Sequence, residues 1–116
     1  MTKNKEENPL PLLVVLLEQQ GLTGWLSEYK FSPTRRWLFD LAQPTYKVAV
    51  EYEGGVFQSR SKRGAGVPGW HQGIERYISD ARKYNEANIL GWKLLRFTAA
   101  DDLPYMVDCV KRAIGE

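Results

Sequence analysis

The hydrophobic pattern divides the chain into three stretches of helical character and four short strand-like runs. PLLVVLLEQQG (11–21) is a continuous apolar run with Pro11 in its first turn and Gly21 at its end, which predicts a short helix. It is apolar nearly all round, so cover on more than one side is expected. WLSEYKF (25–31), RWLFDLA (36–42) and KVAVEYE (47–53) read as strands, the last two joined by the tight connection QPTY. GGVFQSRSKRGAGVPGW (54–70) holds five glycines and a proline and reads as a loop. From about Gly73 to Leu90, Ile74, Tyr77/Ile78, Ala81, Tyr84 and Asn88 recur at helical spacing, with Gly91 as the cap. WKLLRFT (92–98) is a fourth strand. Asp101 or Asp102 caps a last helix, with Pro104 in its first turn, running to about Ala113. The order helix-strand-strand-strand-helix-strand-helix predicts an α/β domain with a mixed four-stranded sheet, three strands in an antiparallel meander and the fourth reached by a helical crossover.

One strand carries an anomaly. In VAVEYE, side-chain alternation sends Val48, Val50 and Tyr52 to one face and Glu51 and Glu53 together to the other. If QPTY is a four-residue loop, Asp40 faces Ala49, and Glu51 is its diagonal neighbour on the same face, about 7–8 Å away. Asp40, Glu51 and Glu53 then converge. Like charges in a partly buried patch force proton uptake or cost stability, and a hard divalent cation removes the conflict. Oxygen donors without thiols favour Mg²⁺ or Mn²⁺. The bland alternative is a solvated sheet face with Lys47 beside the two glutamates. Against it stand Asp40 inside the apolar run WLFDLA, the Gly54-Gly55 break, and a glycine-rich loop bearing Arg60, Lys62 and Arg63 without an acid. Basic side chains beside a metal patch suit a phosphodiester backbone.

Composition narrows the class. A chain of 116 residues, 43% hydrophobic and 12% aromatic, suits one folded domain: residues 1–8 read as a flexible tail and 9–116 as a single domain. A net charge of +2 does not by itself declare a nucleic-acid binder. The single Cys109 excludes an internal disulfide and fits a reducing, cytoplasmic setting. The apolar run Leu10–Leu17 is too short to span a bilayer, and Glu6 and Glu7 without a following small-residue cleavage site read against a signal peptide, so no membrane partner is expected.

The runs EYKFSPTRRWLFDLAQPTYKVAVEYEGG and WHQGIERYISDARKYNEANILGWKLLRFT (about Glu28 to Thr98) resemble small phage and bacterial proteins of the PD-(D/E)xK nuclease superfamily. The branch they look most like is related to the very-short-patch repair endonuclease and to homing endonucleases with an EDxHD signature. The resemblance implies a restriction-endonuclease-like core and a Mg²⁺-dependent site. It puts the signature's Glu on Glu28, its Asp on Asp40, its variable position on Glu53, its His on His71 and its last Asp on Asp80; Glu51 matches the superfamily's second acid. The superfamily's lysine is absent after Glu51, where Glu53 stands. The chain also departs from the branch before Asp80, where Arg76-Tyr77 replaces a glycine-aromatic pair.

The residues also admit their own reading. His71 is the only histidine, and an imidazole near its ordinary pKa can take a proton from water; stacking on Trp70 or binding phosphate are its alternatives. Asp80 either orients the acidic site or pairs with Arg76 or Lys83 at helical spacing. Lys83 either holds phosphate or neutralises the acids. Asn85 and Asn88 are expected on the inner side of their helix, and Trp25, Trp37 and Trp92 in the core, whereas Trp70 is placed to stack on a base. The expected function is metal-dependent endonucleolytic cleavage of double-stranded or branched DNA. Asp40 with Glu51 or Glu53 would hold the metal, and Arg60, Lys62, Arg63, Trp70 and Lys83 the DNA. A homodimer or a targeting partner fits so small a nuclease. The alternatives are a nuclease-like domain that binds DNA or protein without cutting, and an enzyme acting on RNA.

Overall fold

The computed structural model describes residues 8–54 and 70–116, Trp70 and His71 by their backbone alone. Residues 1–7 of the expected tail lie outside that range. So does most of the expected loop, with Arg60, Lys62 and Arg63. Among the described residues seven elements follow one another: α1 (Leu10–Gln19), β1 (Leu26–Lys30), β2 (Leu38–Gln43), β3 (Val48–Glu53), α2 (Trp70–Ile89), β4 (Lys93–Thr98) and α3 (Leu103–Ile114). The four strands form one mixed sheet in the order β1-β2-β3-β4, antiparallel from β1 to β3 and parallel between β3 and β4. The described residues thus form a small α/β domain with three helices on a four-stranded sheet. None of the described helices is long and apolar enough to cross a membrane.

Local chemistry sets most boundaries. The Asn8 side chain accepts a hydrogen bond from Leu10 N, Pro11 sits in the first turn of α1, and Gly21 takes φ +82° just past its end. Gly91 (φ +89°) does the same after α2. Asp102 caps α3 by accepting from Tyr105 N at 3.0 Å, and Gly115 (φ +104°) closes it.

The sheet is covered on both faces. Under α1 and α3 lie Leu13, Leu17, Leu41, Val50, Phe97, Met106 and Val110, all buried. Under α2 lie Phe31, Phe39, Ala42, Ala49, Ala87 and Trp92. α1 buries one stripe only, Leu10, Leu13 and Leu17; Leu12 and Val15 stay about half exposed, contrary to the expectation of cover on more than one side.

Two further expectations need correction. First, β2 and β3 pair as Leu41↔Val50, Ala42↔Ala49 and Gln43↔Val48, so Ala42, not Asp40, faces Ala49, and Asp40 comes level with Glu51 one step past the last pair. The cause is the turn. The Gln43 side chain holds Thr23 O and Tyr46 N, and Lys47 takes φ +55°, so Lys47 belongs to the turn and not to the strand. Second, α2 is rotated from its expected stripe. Ile74, Tyr77, Ile78, Ala81, Asn85 and Asn88 are exposed, whereas Asp80, Lys83, Tyr84 and Ala87 face inward. The sheet beneath that part of α2 carries Glu51 and Glu53, so the helix presents its polar stripe to them and leaves isoleucines outside.

The packing predicts unequal costs along α1. Leu13→Ala or Leu17→Ala, each fully buried, should destabilise by about 2–5 kcal/mol. Leu12→Ala should stay within about 0.5 kcal/mol. Urea denaturation followed by circular dichroism checks both.

Candidate active site

The β2–β3 ladder ends at Leu41↔Val50, while β1–β2 pairing continues to Lys30↔Leu38 and β3–β4 pairing to Glu53↔Thr98. Past that point two side chains replace the backbone acceptors. Tyr52 N donates to Asp40 Oδ2 at 2.8 Å, and Asp40 N donates to Glu51 Oε2 at 3.3 Å. The middle strands therefore separate with their amides still satisfied, and the separation is filled by carboxylates.

On the α2 side, Lys83 Nζ lies 2.8 Å from Glu51 Oε2, with side chains only 12% and 10% exposed. Burial raises the Glu51 carboxyl above its ordinary pKa, the hydrogen bond and charge of Lys83 oppose that rise, and the Asp40 charge adds to it while the Asp40 amide hydrogen bond opposes it. Glu53, one face-repeat further on, is drawn away. Its Oε2 accepts from Arg96 Nε on β4 and from Tyr84 OH, each at 3.0 Å, and the Arg96 guanidinium lies 4.3 Å from the Tyr84 ring centre. Burial first, then the Glu53 charge, pushes the Tyr84 phenol above its ordinary value, so it stays a donor. Asp80 is half-buried and near enough to bear on the charges of both Tyr84 and Arg96.

On the α1 side the same level of the sheet borders a cavity of about 590 Å³. Trp25, Tyr52, Leu10, Pro11 and Val14 form its apolar wall; Asn8, Ser27, Glu28 and Asp40 are its polar positions. Consecutive strand residues normally point to opposite faces. Here Ser27 and Glu28 both line the cavity, and so do Asp40 and Leu41. Glu28 achieves this with φ +50°, a left-handed conformation uncommon for a residue with a side chain. The pairs Ser27↔Leu41 and Tyr29↔Phe39 bracket Glu28 and Asp40, which therefore stand at the same level on neighbouring strands. At the rim the Tyr52 ring lies against Gly54, so a Cβ there would force the ring to shift.

The structure thus brings together Glu28, Asp40, Glu51 and Lys83, and routes Glu53 to Arg96 and Tyr84. His71 lies in the first turn of α2, and its side chain, like that of Trp70, is outside the described residues. Trp92 is buried, while Trp25 and Trp37 are half-buried with their indole N–H groups on Leu22 O and Ser79 Oγ. Sequence reasoning missed Arg96. Its signal was a lone cation at a strand position sharing a sheet face with two carboxylates. Among the described residues no group of three His, Cys, Asp or Glu side chains is arranged to hold a metal ion. Comparison with protein-family models, curated proteins and solved structures finds no match in any of the three.

The buried pair makes a stability prediction. Lys83→Met leaves Glu51 uncompensated and should cost about 3–5 kcal/mol near neutral pH. A carboxyl whose folded pKa lies above its unfolded value loses stability as pH rises between the two, and removing Lys83 widens that interval. The deficit should therefore shrink in mildly acidic buffer and be largely recovered by adding Glu51→Gln. Thermal melts of the three variants across pH read this directly.

Proposed function

We propose that the protein is a metal-dependent endonuclease that hydrolyses phosphodiester bonds in DNA, with Asp40 at the centre of its site and a restriction-endonuclease-like core around it. The observation that carries the reading is the separation of β2 from β3 at Asp40, with Glu28 at the same level on one side and the Glu51–Lys83 pair on the other. The order of elements, with a parallel β4 reached through α2, is the one expected from the nuclease resemblance.

Glu28 and Asp40 supply oxygen donors to one cavity, and Mg²⁺ is commonly held by one or two carboxylates plus substrate phosphate, so the donor set fits Mg²⁺ or Mn²⁺. When bound, the ion neutralises phosphate charge and acidifies an attacking water. Glu51 fixes the Asp40 backbone by accepting from its amide, and the Tyr52 amide fixes the Asp40 carboxylate, so both ends of the residue are set before substrate arrives. Lys83 opposes the burial-driven rise of the Glu51 pKa and brings a positive charge to the site without a lysine on β3. His71 is assigned the proton from the attacking water, with Arg60, Lys62 and Arg63 neutralising flanking phosphates.

One observation favours a second reading, binding without cleavage: Glu51 and Glu53 are each matched by a cation from the chain itself. Supercoiled plasmid and branched DNA, incubated with Mg²⁺, Mn²⁺ or EDTA, decide between the two. Metal-dependent nicking is expected from the wild type, lost in Asp40→Asn and lowered about a hundredfold or more in His71→Ala. The Asn side chain can still accept from Tyr52 N, so the first variant should fold. Retention of DNA binding with no cleavage under any metal would replace the nuclease by the binding domain.

A further inference from the structure

The cavity beside Asp40 is larger and more apolar than a phosphate or a metal ion needs. It holds about 590 Å³, within the range of small-molecule sites. Its carboxylates, Glu28 and Asp40, adjoin a wall of Trp25, Tyr52, Leu10 and Val14. The Trp25 indole N–H donates to Leu22 O at 3.0 Å, which orients that ring, and the Tyr52 ring lies against Gly54 in the space a Cβ would take. The wall is therefore present without a ligand.

An acidic rim, proposed above to take a cation, beside an aromatic hollow has the two-part chemistry of a single nucleotide, phosphate outside and base inside. We infer that this cavity receives one unstacked nucleobase next to the scissile phosphate, so that the preferred substrate carries an unpaired nucleotide at the cut. The inference rests on the nuclease reading for the phosphate end. The base end rests on the cavity. A base inside a duplex keeps both faces stacked on its neighbours and cannot enter. A bulged, frayed or flap nucleotide enters at little unstacking cost and regains stacking against Trp25 and Tyr52. Ser27, at the polar edge, offers a hydroxyl that can both donate and accept, so it can meet the edge of any base.

Fluorescence anisotropy in EDTA, with three labelled duplexes differing at one position, tests this without cleavage. One is fully paired, one bears a single unpaired adenosine, and one bears an abasic residue in the bulge. The wild type should bind the unpaired adenosine about tenfold or more tighter than the abasic bulge, as expected for one stacked base. Val14→Trp, which fills the cavity from α1, should bring the two bulges within about twofold of each other. Leu12→Trp, on the exposed face of the same helix, should keep the preference and serves as the folding control. Equal affinity of the wild type for both bulges overturns the inference, and so does a preference that survives Val14→Trp in a folded protein. Absence of metal-dependent nicking instead overturns the nuclease reading and leaves the base preference to be judged on its own.

Discussion

Everything at the site follows from two carboxylates doing the work of backbone carbonyls. Strands β2 and β3 can part only if the amides released from the ladder find other acceptors, since a buried unpaired N–H costs free energy comparable to a lost hydrogen bond. Asp40 takes Tyr52 N and Glu51 takes Asp40 N. The exchange is reciprocal, so neither acid can be removed without loosening the other. It also fixes the charge balance. Two acids at the same level in a sheet, one of them buried, need a cation from above, and α2 delivers Lys83.

That demand explains the orientation of α2. Its apolar residues, taken alone, define a stripe through Ile74, Ile78 and Ala81, and a sheet of valines would have received it. The sheet surface beneath is apolar only toward Ala49 and Trp92, where Ala87 packs, and acidic toward Glu51 and Glu53. Two charges left without partners under a helix would cost more than several half-exposed isoleucines, so the polar stripe turns inward.

The elements themselves were legible because their signals are local. Pro11 and Gly21 around α1, Gly91 after α2, and Asp102, Pro104 and Gly115 around α3 act within a turn or two of where they stand. The register of β2 against β3 was less legible, because it depends on Gln43 reaching Thr23, twenty positions earlier in the chain. Part of the candidate site's geometry could be read as well: alternation alone put Glu51 and Glu53 on one face, and the charge of Asp40 in an apolar strand singled it out. Which cation each glutamate meets could not be read from β3. That depends on β4 and α2, where Arg96 and Tyr84 hold Glu53 and Lys83 holds Glu51. The left-handed turn of Glu28 has no composition signal at all, since nothing about a glutamate in EYKF announces a positive φ.

That turn has a consequence at the rim of the molecule. β1 ends the sheet on one side, and an open strand edge is a template on which another chain can add a strand. Such addition needs an unbroken row of outward amides and carbonyls at regular spacing. Glu28, in the middle of a five-residue strand, twists that row out of line with its φ of +50°. The distortion that aims a carboxylate inward thus also spoils the edge for intermolecular strand pairing, protecting an otherwise short and exposed strand from aggregation.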